Sequence, residues 1–415
     1  MRVNPAKLGY SRGLRGESMR TLIRRSGCIA SAAVLSALLS GVAIPAGAQL
    51  RTCGTRSTQA CAAPDSFRFA AISAGQAHTC ALTRDGVAWC WGDGRKGALG
   101  DSKAEVQRWP QRVMTAERFV EIGAGGDFTC ARTASGAVYC WGNERPVPGW
   151  PNVTTAPVLV ATSAQATTLT VGRRHACLLD ANRQAHCWGF NVDGETGTGS
   201  GGIDAAMIPG PKLVMGDHRF QSISAGVGAT CGVRADGVLL CWGSNIDGVA
   251  GSAANDQCGD VAAVRCSTTP VPVDSTRRWK SVSTGTRHAC AVDAEGLAHC
   301  WGTNDVGQVG AYNERRTVVN SPIRVALPNA RLTSIHSGGI HTCAISDQRR
   351  LYCWGADAWT YTDPRHYADE LVPRQPIPQA SFSAVSTGPL HVCALETSGR
   401  ARCWGDTILG AFGIR

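Results

Sequence analysis

Short apolar runs alternate with polar residues along most of this chain, and one such pattern returns seven times. Its skeleton is a cysteine, nine further residues and a Cys-Trp-Gly triplet, as in CALTRDGVAWCWG from Cys80 to Gly92. Two apolar halves flank a polar turn between the cysteines, which is the pattern of a β-hairpin. The pattern predicts seven hairpin cores at 80–92, 130–142, 177–189, 231–243, 290–302, 343–355 and 393–405.

The turn of each hairpin determines which residues face one another. Gly86 lies six residues after Cys80, and glycine reaches the left-handed conformation of a three-residue hairpin loop without steric cost. With that loop, Cys80 faces Cys90 as a non-hydrogen-bonded pair, whose close approach suits a disulfide. Arg183 and Arg349 replace the glycine in two copies, so those turns are predicted to be strained or differently shaped. The predicted disulfides are Cys80–Cys90, Cys130–Cys140, Cys177–Cys187, Cys231–Cys241, Cys290–Cys300, Cys343–Cys353 and Cys393–Cys403.

The segments between the hairpins supply two more strands to each repeat. A short apolar strand ending near a glycine precedes each hairpin, and a glycine-rich turn and a fourth strand follow it. The first cysteines lie 47 to 59 residues apart, a period typical of propellers and related arrays. We therefore predict an all-β fold, a seven-bladed β-propeller over residues 49–415 with one hairpin disulfide per blade.

The last repeat ends without a fourth strand, and the start of the domain can supply one. Cys53 and Cys61 have the same spacing as Cys258 and Cys266 in the fourth repeat, and both pairs lie just before a fourth-strand position. We predict the disulfides Cys53–Cys61 and Cys258–Cys266, and a ring that is closed by the segment before the first repeat.

The N-terminal 48 residues have the features of a signal peptide, with Met19 as a possible true start. A basic stretch, an apolar run and the Ala46-Gly47-Ala48 cleavage pattern follow one another. A twin-arginine route is the weaker alternative, because it exports folded proteins from a reducing cytosol. The cysteine content agrees with an oxidising compartment. We predict a secreted or periplasmic protein whose mature chain has no membrane span.

Charge argues against nucleic acid as a partner. The chain has 41 basic and 31 acidic residues, but seven of the basic residues and only one acidic residue precede residue 49. The mature domain therefore carries a formal charge of only +4, without the basic footprint of a nucleic-acid-binding protein.

The repeats resemble those of the regulator of chromosome condensation family. ISAGQAHTCALTRDGVAWCWGDGRKGALG and VSTGTRHACAVDAEGLAHCWGTNDVGQVG each have a strand ending in glycine, a hairpin and a Trp-Gly pair before a glycine series. The resemblance covers about residues 67–413 and implies a seven-bladed propeller closed by strands from both ends. The repeats at Trp141, Trp354 and Trp404 depart from the glycine series. The family's nucleotide-exchange activity on a nuclear GTPase is not expected of an exported chain.

Irregular insertions between each hairpin and its fourth strand are predicted to emerge on one face and to carry specificity. Aromatic and arginine side chains, which are enriched at interface hot spots, concentrate there; the alternative is that their rings only cap hydrophobic edges. The candidate partner-binding residues are Trp359, Tyr361, Arg365, His366, Tyr367, Tyr312, Arg315, Arg316 and Trp109.

Two repeated side chains also suggest binding chemistry. Histidine precedes the first cysteine by two residues in five repeats, and a ring of imidazoles would bind metal or an anion. The seven tryptophans of the Trp-Gly pairs would offer sugar-stacking surfaces. The simpler explanations are that each histidine hydrogen-bonds the backbone of a neighbouring blade and that the regularly repeated tryptophans pack between blades. The five histidines are His78, His175, His288, His341 and His391.

These observations favour a binding scaffold over an enzyme. Residues 49–415 contain no G-x-S-x-G, H-E-x-x-H or phosphate-loop motif. We predict a monomer without a cofactor that binds an extracellular or envelope protein. A carbohydrate- or cell-wall-binding propeller is the first alternative, and a lyase or hydrolase is the second.

The disulfide pattern makes a direct prediction. Thiol titration of the mature chain, denatured without reduction, should find almost no free thiol, because every cysteine from residue 49 onward has an assigned partner. Several free thiols would contradict the hairpin ladder.

Overall fold

The computed structural model describes residues 61–62, 67–143, 153–160, 165–251, 256–258, 265–311, 318–327, 330–356 and 370–405. The chain separates into two compact units, Met1–Arg51 and Thr52–Arg415, and all described residues belong to the second. Apart from one short 3-10 helix, Ile203–Ala205, every regular element described is a β-strand.

The strands form seven antiparallel sheets, which are the seven blades of the predicted propeller. The first strand of each blade is innermost and the fourth is outermost. Blades one to three contain β2 (Ala71–Ala74), β3 (His78–Leu82), β4 (Ala88–Asp93), β5 (Val106–Arg112), β6 (Phe119–Ala124), β7 (Phe128–Thr133), β8 (Val138–Gly142), β9 (Thr154–Leu159), β10 (Thr168–Val171), β11 (His175–Leu179), β12 (Ala185–Phe190) and β13 (Met207–Leu213).

Blades four to seven repeat this order, with one extra strand in blade four and a fourth, outermost strand from the start of the domain in blade seven. Their strands are β14 (Phe220–Ala225), β15 (Ala229–Arg234), β16 (Leu239–Ser244), β17 (Asp256–Gln257), β18 (Arg265–Asp274), β19 (Trp279–Thr284), β20 (His288–Asp293), β21 (Ala298–Thr303), β22 (Val318–Arg324), β23 (Leu332–Ser337), β24 (His341–Ser346), β25 (Leu351–Gly355), β26 (Glu370–Arg374), β27 (Phe382–Thr387), β28 (His391–Glu396), β29 (Ala401–Gly405) and β1 (Cys61–Ala62).

The predicted ring closure is confirmed by the pairing of β1 with β29, in which Cys61 faces Cys403. The start of the domain thus completes the last blade. Cys258 and Cys266 form the predicted disulfide in blade four. Cys53 lies outside the described residues, so the Cys53–Cys61 disulfide remains a prediction.

The seven hairpin disulfides are confirmed, and each joins directly facing residues of the second and third strands. Cys80 pairs with Cys90 in the strand register, and their Cα atoms lie 4.1 Å apart. The other six pairs have Cα separations of 4.0 or 4.1 Å. This is the short distance of a non-hydrogen-bonded pair.

The turns that lack glycine keep the same shape at the cost of backbone strain. Gly86 has φ 80°, and Arg183 and Arg349 have φ 61° and 59° at the equivalent position. For a residue with a Cβ atom, the left-handed conformation costs roughly 1–2 kcal/mol. The two turns are therefore strained rather than differently shaped.

The same turn residue links each blade to the next one. Its carbonyl accepts a hydrogen bond from the backbone N–H at the start of the next blade, as between Gly86 and Phe119. The bond recurs at all seven junctions with N···O distances of 2.8 to 3.1 Å, and the bond from Phe69 to Gly399 closes the ring. The turn conformation thus fixes both the hairpin register and the contact between blades.

Glycines at the ends of the inner strands let the blades approach closely around the axis. A Cβ atom added to any of them would lie closer than 3.0 Å to the carbonyl oxygen of the corresponding glycine in the next blade. No ordinary side chain fits in that space, so the inner ends of the blades meet backbone to backbone. The seven glycines are Gly75, Gly125, Gly172, Gly226, Gly285, Gly338 and Gly388.

Buried polar groups join the second strands of neighbouring blades. The hydroxyl of Thr129 in blade two donates to the carbonyl of Ala98 in blade one. Because that hydroxyl proton is used, Nε2 of His78, 2.8 Å away, is the donor to Thr129. Trp141 Nε1 donates to the same carbonyl of Ala98. The histidine and the tryptophan therefore hold adjacent blades together.

The inner glycines provide a test of the packing. Gly172→Ala should lower the stability by about 2 kcal/mol or more, because its Cβ would overlap the Gly226 carbonyl. Gly210→Ala in β13 is the matched control, since a Cβ at Gly210 meets no atom within 4 Å. Thermal unfolding of both variants measures the difference, and equal melting temperatures would contradict the role of the glycine ring.

Candidate functional site

The two ends of the blades differ strongly in their connections. At one end, called the hairpin face here, the second and third strands are joined by short turns such as residues 83–87. At the other end, the loop face, the third and fourth strands are joined by segments that range from residues 143–153 to residues 245–264. The predicted variation on one face is thus present, and it lies at the loop face.

The loop of blade three is ordered by one buried amide. Asn191 Nδ2 donates to the carbonyl of Ser200 at 2.9 Å. Asn191 Oδ1 accepts the backbone N–H and the hydroxyl of Thr196. This asparagine is the residue after Trp-Gly-x in the repeat, and its three polar contacts hold residues 191–206 in one conformation.

The longest loop, in blade four, is stapled and rests on blade three. The Cys258–Cys266 disulfide anchors β17 to β18. Asp256 Oδ2 accepts both the backbone N–H and the hydroxyl of Thr268. The carbonyl of Thr268 accepts the backbone N–H of Gly199 from the blade-three loop. The blade-three loop and the described residues of the blade-four loop and β18 are therefore joined on the loop face, and we call this joined surface the ridge.

Large apolar side chains are exposed on and beside this ridge. Ile203 and Met207 from blade three are 58% and 37% exposed, and Ile246 from blade four is 64% exposed. Contiguous exposed apolar patches mark interaction surfaces, whereas single exposed apolar side chains are ordinary, so these three residues are candidates for such a patch. The sequence did not single out these residues among the aromatic and arginine side chains that were predicted to bind a partner. An apolar isoleucine within a polar, glycine-rich segment, as in GGIDAAM and SNIDGVAG, is the sequence feature that indicates them.

Only one of the residues predicted to bind a partner lies in the described part of the chain. Trp109 belongs to the outermost strand β5 and is 39% exposed. The outer strand places it at the rim of blade one. The remaining candidates lie outside the described residues: Tyr312, Arg315, Arg316, Trp359, Tyr361, Arg365, His366 and Tyr367.

A buried carboxyl group stands at the base of the blade-three loop. Glu195 is 2% exposed, and burial raises its pKa from 4.5 to about 7. Its Oε2 accepts the backbone N–H of Asp193 at 2.9 Å. In blade five, Gln308 occupies the equivalent position and accepts the backbone N–H of Val306 in the same way. Glu195 therefore places an ionisable group where an amide gives the same backbone contact.

The repeated histidines are structural in the described part of the chain, and none is exposed. Burial lowers the pKa of His78 and His175 to about 4 and that of His288 to about 3. Each of these rings contacts a threonine hydroxyl of the next blade through Nε2. They are neutral junction groups at neutral pH, as the structural explanation of the repeat expects, but they contact a side-chain hydroxyl of the next blade instead of its backbone.

His341 departs from this pattern. Val392 stands in the next blade where the other histidine junctions have threonine, and among the described residues neither ring nitrogen of the buried His341 has a hydrogen-bond partner. Burial lowers its pKa to about 4, partly opposed by the nearby backbone of His391. Because Nε2 lies close to Gly338, which lines the cavity at the propeller axis, this ring is beside the axis.

The axial cavity is small and is lined chiefly by the inner glycines and their neighbours. Its volume is about 90 Å³, which is room for a few water molecules. Among the described residues, no group of three or more His, Cys, Asp or Glu side chains is placed to hold a metal ion. The same part of the chain contains no helix that is long and apolar enough to span a membrane.

The fold and its junctions define the chain as a seven-bladed propeller of the type with one Trp-Gly hairpin in each blade. The model of the RCC1-like domain matches residues 45–375. The chain belongs to the RCC1-like domain family, and the resemblance seen in the sequence is confirmed.

Curated relatives share about a quarter of their residues with this chain. The ultraviolet-B receptor UVR8 of Arabidopsis thaliana is 26% identical over 316 residues, which cover 73% of this chain and 69% of the receptor. The mitochondrial RCC1 domain-containing protein RUG3 of the same plant is 27% identical over 288 residues. That match covers 68% of this chain and about half, 53%, of RUG3.

Solved structures show the same fold at lower identity. Yeast RCC1 (Prp20), crystallised with Kap60, has a TM-score of 0.68 and 19% identity, covering 83% of this chain and 82% of the yeast chain. The CRINKLY WD40 ectodomain of the Arabidopsis thaliana receptor kinase ACR4 has a TM-score of 0.53 and 16% identity, with coverage of 84% and 99%.

Glu195 makes the stability depend on pH. Its folded-state pKa lies above the usual 4.5, so the folded chain holds a proton that the unfolded chain releases, and stability falls as the pH rises from about 4.5 to about 7. The loss amounts to roughly 3 kcal/mol above that window. Glu195→Gln should therefore raise the melting temperature at about pH 8 and leave it nearly unchanged at about pH 4.5.

Thermal unfolding at the two pH values tests this. Glu105→Gln, at an exposed position of the blade-one loop, removes the same charge without relieving burial and is the control. An increase in melting temperature at about pH 8 that is equal in both variants would show that the effect comes from net charge and not from the buried carboxyl group.

Proposed function

We propose that this protein is an extracellular or periplasmic binding scaffold that recognises another protein through its loop face. The carrying observation is the ridge formed by the loops of blades three and four, with exposed Ile203, Met207 and Ile246. A binding surface that is held in place before association loses little conformational entropy on binding, and internal hydrogen bonds and a disulfide hold the described residues of the ridge.

The family relatives support binding as the general role. The yeast protein with the same fold was crystallised in complex with Kap60, and UVR8 is a receptor. Neither protein's partner is transferred to this chain, because the identities of 19% and 26% leave the loops unrelated in detail. The fold provides the rigid support, and the loops provide the specificity.

The disulfides support an extracellular or periplasmic setting. Eight disulfides are present among the described residues, and such bonds persist in oxidising compartments. The propeller of the ACR4 ectodomain shows that a related fold serves outside the cell in a receptor kinase. The N-terminal signal sequence predicted from residues 1–48 agrees with this setting.

The hairpin tryptophans do not support the carbohydrate alternative. Sugar stacking needs an exposed ring, and these indoles are buried between blades. Each is at most 5% exposed: Trp91, Trp141, Trp188, Trp242, Trp301, Trp354 and Trp404. A glycan would have to bind through other residues.

Capture from the natural envelope tests the proposal. Folded protein is immobilised and exposed to extracellular and envelope fractions of the source organism, and the eluate is identified by mass spectrometry. One saturable protein supports the binding scaffold. Enrichment of wall fragments would favour a glycan-binding propeller, and turnover of an added envelope polymer would favour the lyase or hydrolase alternative.

Once a partner is captured, substitution of the ridge locates the site. The double variant Ile203→Ser, Ile246→Ser should weaken binding at least tenfold, because it removes exposed apolar contacts, while the melting temperature stays unchanged. Trp109→Ala at the rim is the matched single-site comparison, and Trp359→Ala with Tyr361→Ala tests the blade-six loop. Unchanged affinity of the isoleucine variant would remove the ridge from the site.

A further inference from the structure

The hairpin turns are more uniform than the connections at the loop face. All seven of its hairpin turns have equivalent strand registers and the same left-handed residue. Each turn also makes the same hydrogen bond to the start of the next blade. The seven turns therefore end at similar heights and form a ring of nearly identical junctions.

Every one of these junctions carries at least one arginine, although the arginine does not always come from the same repeat position. At most junctions it immediately precedes the first inner-strand residue, where it packs beside the turn glycine of the preceding blade, as Arg118 does beside Gly86. At others it comes from the turn itself or from the end of the second strand. In order around the ring, the arginines are Arg68, Arg118, Arg132, Arg183 with Arg219, Arg278, Arg331 and Arg349.

The exceptions to the main position are informative. Before the first strand of blade seven, Ser381 replaces the arginine, and at this junction the turn residue is Arg349. At the junction before blade four, Arg219 is paired with Asp217. The turn there supplies Arg183, which forms no ion pair with any described residue. Both turn arginines are in the left-handed conformation that glycine adopts elsewhere. Backbone strain is thus present at the positions where the turn supplies the guanidinium group, and strain of this kind accumulates at functional sites.

Acidic side chains reduce the charge of this face but do not neutralise it. Five of them are occupied by arginines, in the pairs Asp217–Arg219, Asp236–Arg234, Asp274–Arg277, Glu396–Arg402 and Glu121–Arg132, the last of which engages the arginine of the junction between blades two and three. Asp85 lies near Arg118, and Glu295 and Asp347 are exposed. No ion pair within the described residues engages the following exposed arginines of the ring: Arg118, Arg183, Arg278, Arg331 and Arg349.

We propose that the hairpin face docks on a lipid bilayer that carries anionic phospholipid headgroups. Guanidinium groups bind phosphate oxygens through two parallel N–H donors. A ring of them on a flat face matches a planar array of phosphates, whereas a linear polyanion would be favoured by a continuous groove. Attraction to an anionic membrane amounts to about 1 kcal/mol for each basic side chain near the surface.

This orientation complements the proposed loop-face function without depending on it. The hairpin turns and the long loops lie at opposite ends of the blades, so docking through one face leaves the other exposed to a partner. The net charge does not reveal this concentration of arginines on one face, because the mature domain as a whole carries only +4.

Vesicle sedimentation tests the proposal. The folded protein is mixed with vesicles of phosphatidylcholine alone or of phosphatidylcholine with phosphatidylglycerol. We expect binding only to the anionic vesicles and release by added salt, which screens exposed charges. Equal binding to both vesicle types, or binding that salt does not weaken, would overturn the electrostatic docking. Binding to soluble dextran sulfate but not to the vesicles would replace the membrane with an acidic glycan.

Matched triple variants locate the surface. Arg118→Gln, Arg278→Gln and Arg331→Gln together should weaken vesicle binding about a hundredfold. Lys103→Gln, Arg173→Gln and Arg265→Gln remove the same charge from the loop-face end and should change it little. Equal losses in the two variants would attribute the binding to net charge and overturn the assignment of the hairpin face.

The strained turns distinguish binding from a structural role. Arg183→Gly and Arg349→Gly relieve the left-handed backbone, so they should raise the melting temperature while weakening vesicle binding. A lower melting temperature with unchanged vesicle binding would show that these arginines only stabilise the fold and would overturn their part in the docking surface.

Discussion

The close approach of the seven blades at the axis is the constraint on which the rest of this structure depends. Each inner strand ends at a glycine where an added Cβ would lie less than 3.0 Å from the carbonyl oxygen of the next blade. These close approaches involve the backbone and no side chain. Their importance is geometric, because they set the radius at which the turn carbonyls, the histidines and the tryptophans of adjacent blades can all meet. The disulfides then act within blades, and the ring is closed by β1.

Closing the ring in this way gives the molecule two faces, whose connecting segments differ in how far their length and conformation can vary. The hairpin turns must satisfy the contact to the next blade, so they have one length and one conformation. The long loops follow the third strand and do not make this hydrogen bond to the next blade. Their lengths therefore vary, and the loop of blade four carries an additional strand and a disulfide. Specific recognition by the loops and uniform charge at the turns are two consequences of the same geometry.

Departures from the repeat are more informative than the repeat itself. Arg183 and Arg349 keep a strained conformation where glycine would be relaxed, and Glu195 buries a carboxyl group where Gln308 has an amide. His341 lacks the threonine that its equivalents contact. Each departure lowers the stability at a position where the residue found in other repeats would not. These positions are therefore the natural candidates for function or regulation.

The sequence by itself determined the number of blades, the hairpin register, the seven hairpin disulfides and the ring closure, because all depend on short-range spacing repeated along the chain. Only the tertiary structure decided that His78 contacts a threonine of the next blade, that Ile203 and Ile246 are exposed near one ridge, and that arginines from different repeat positions share one ring. These contacts join residues from separate repeats, and their alignment depends on how neighbouring blades pack, which the period of the sequence does not specify.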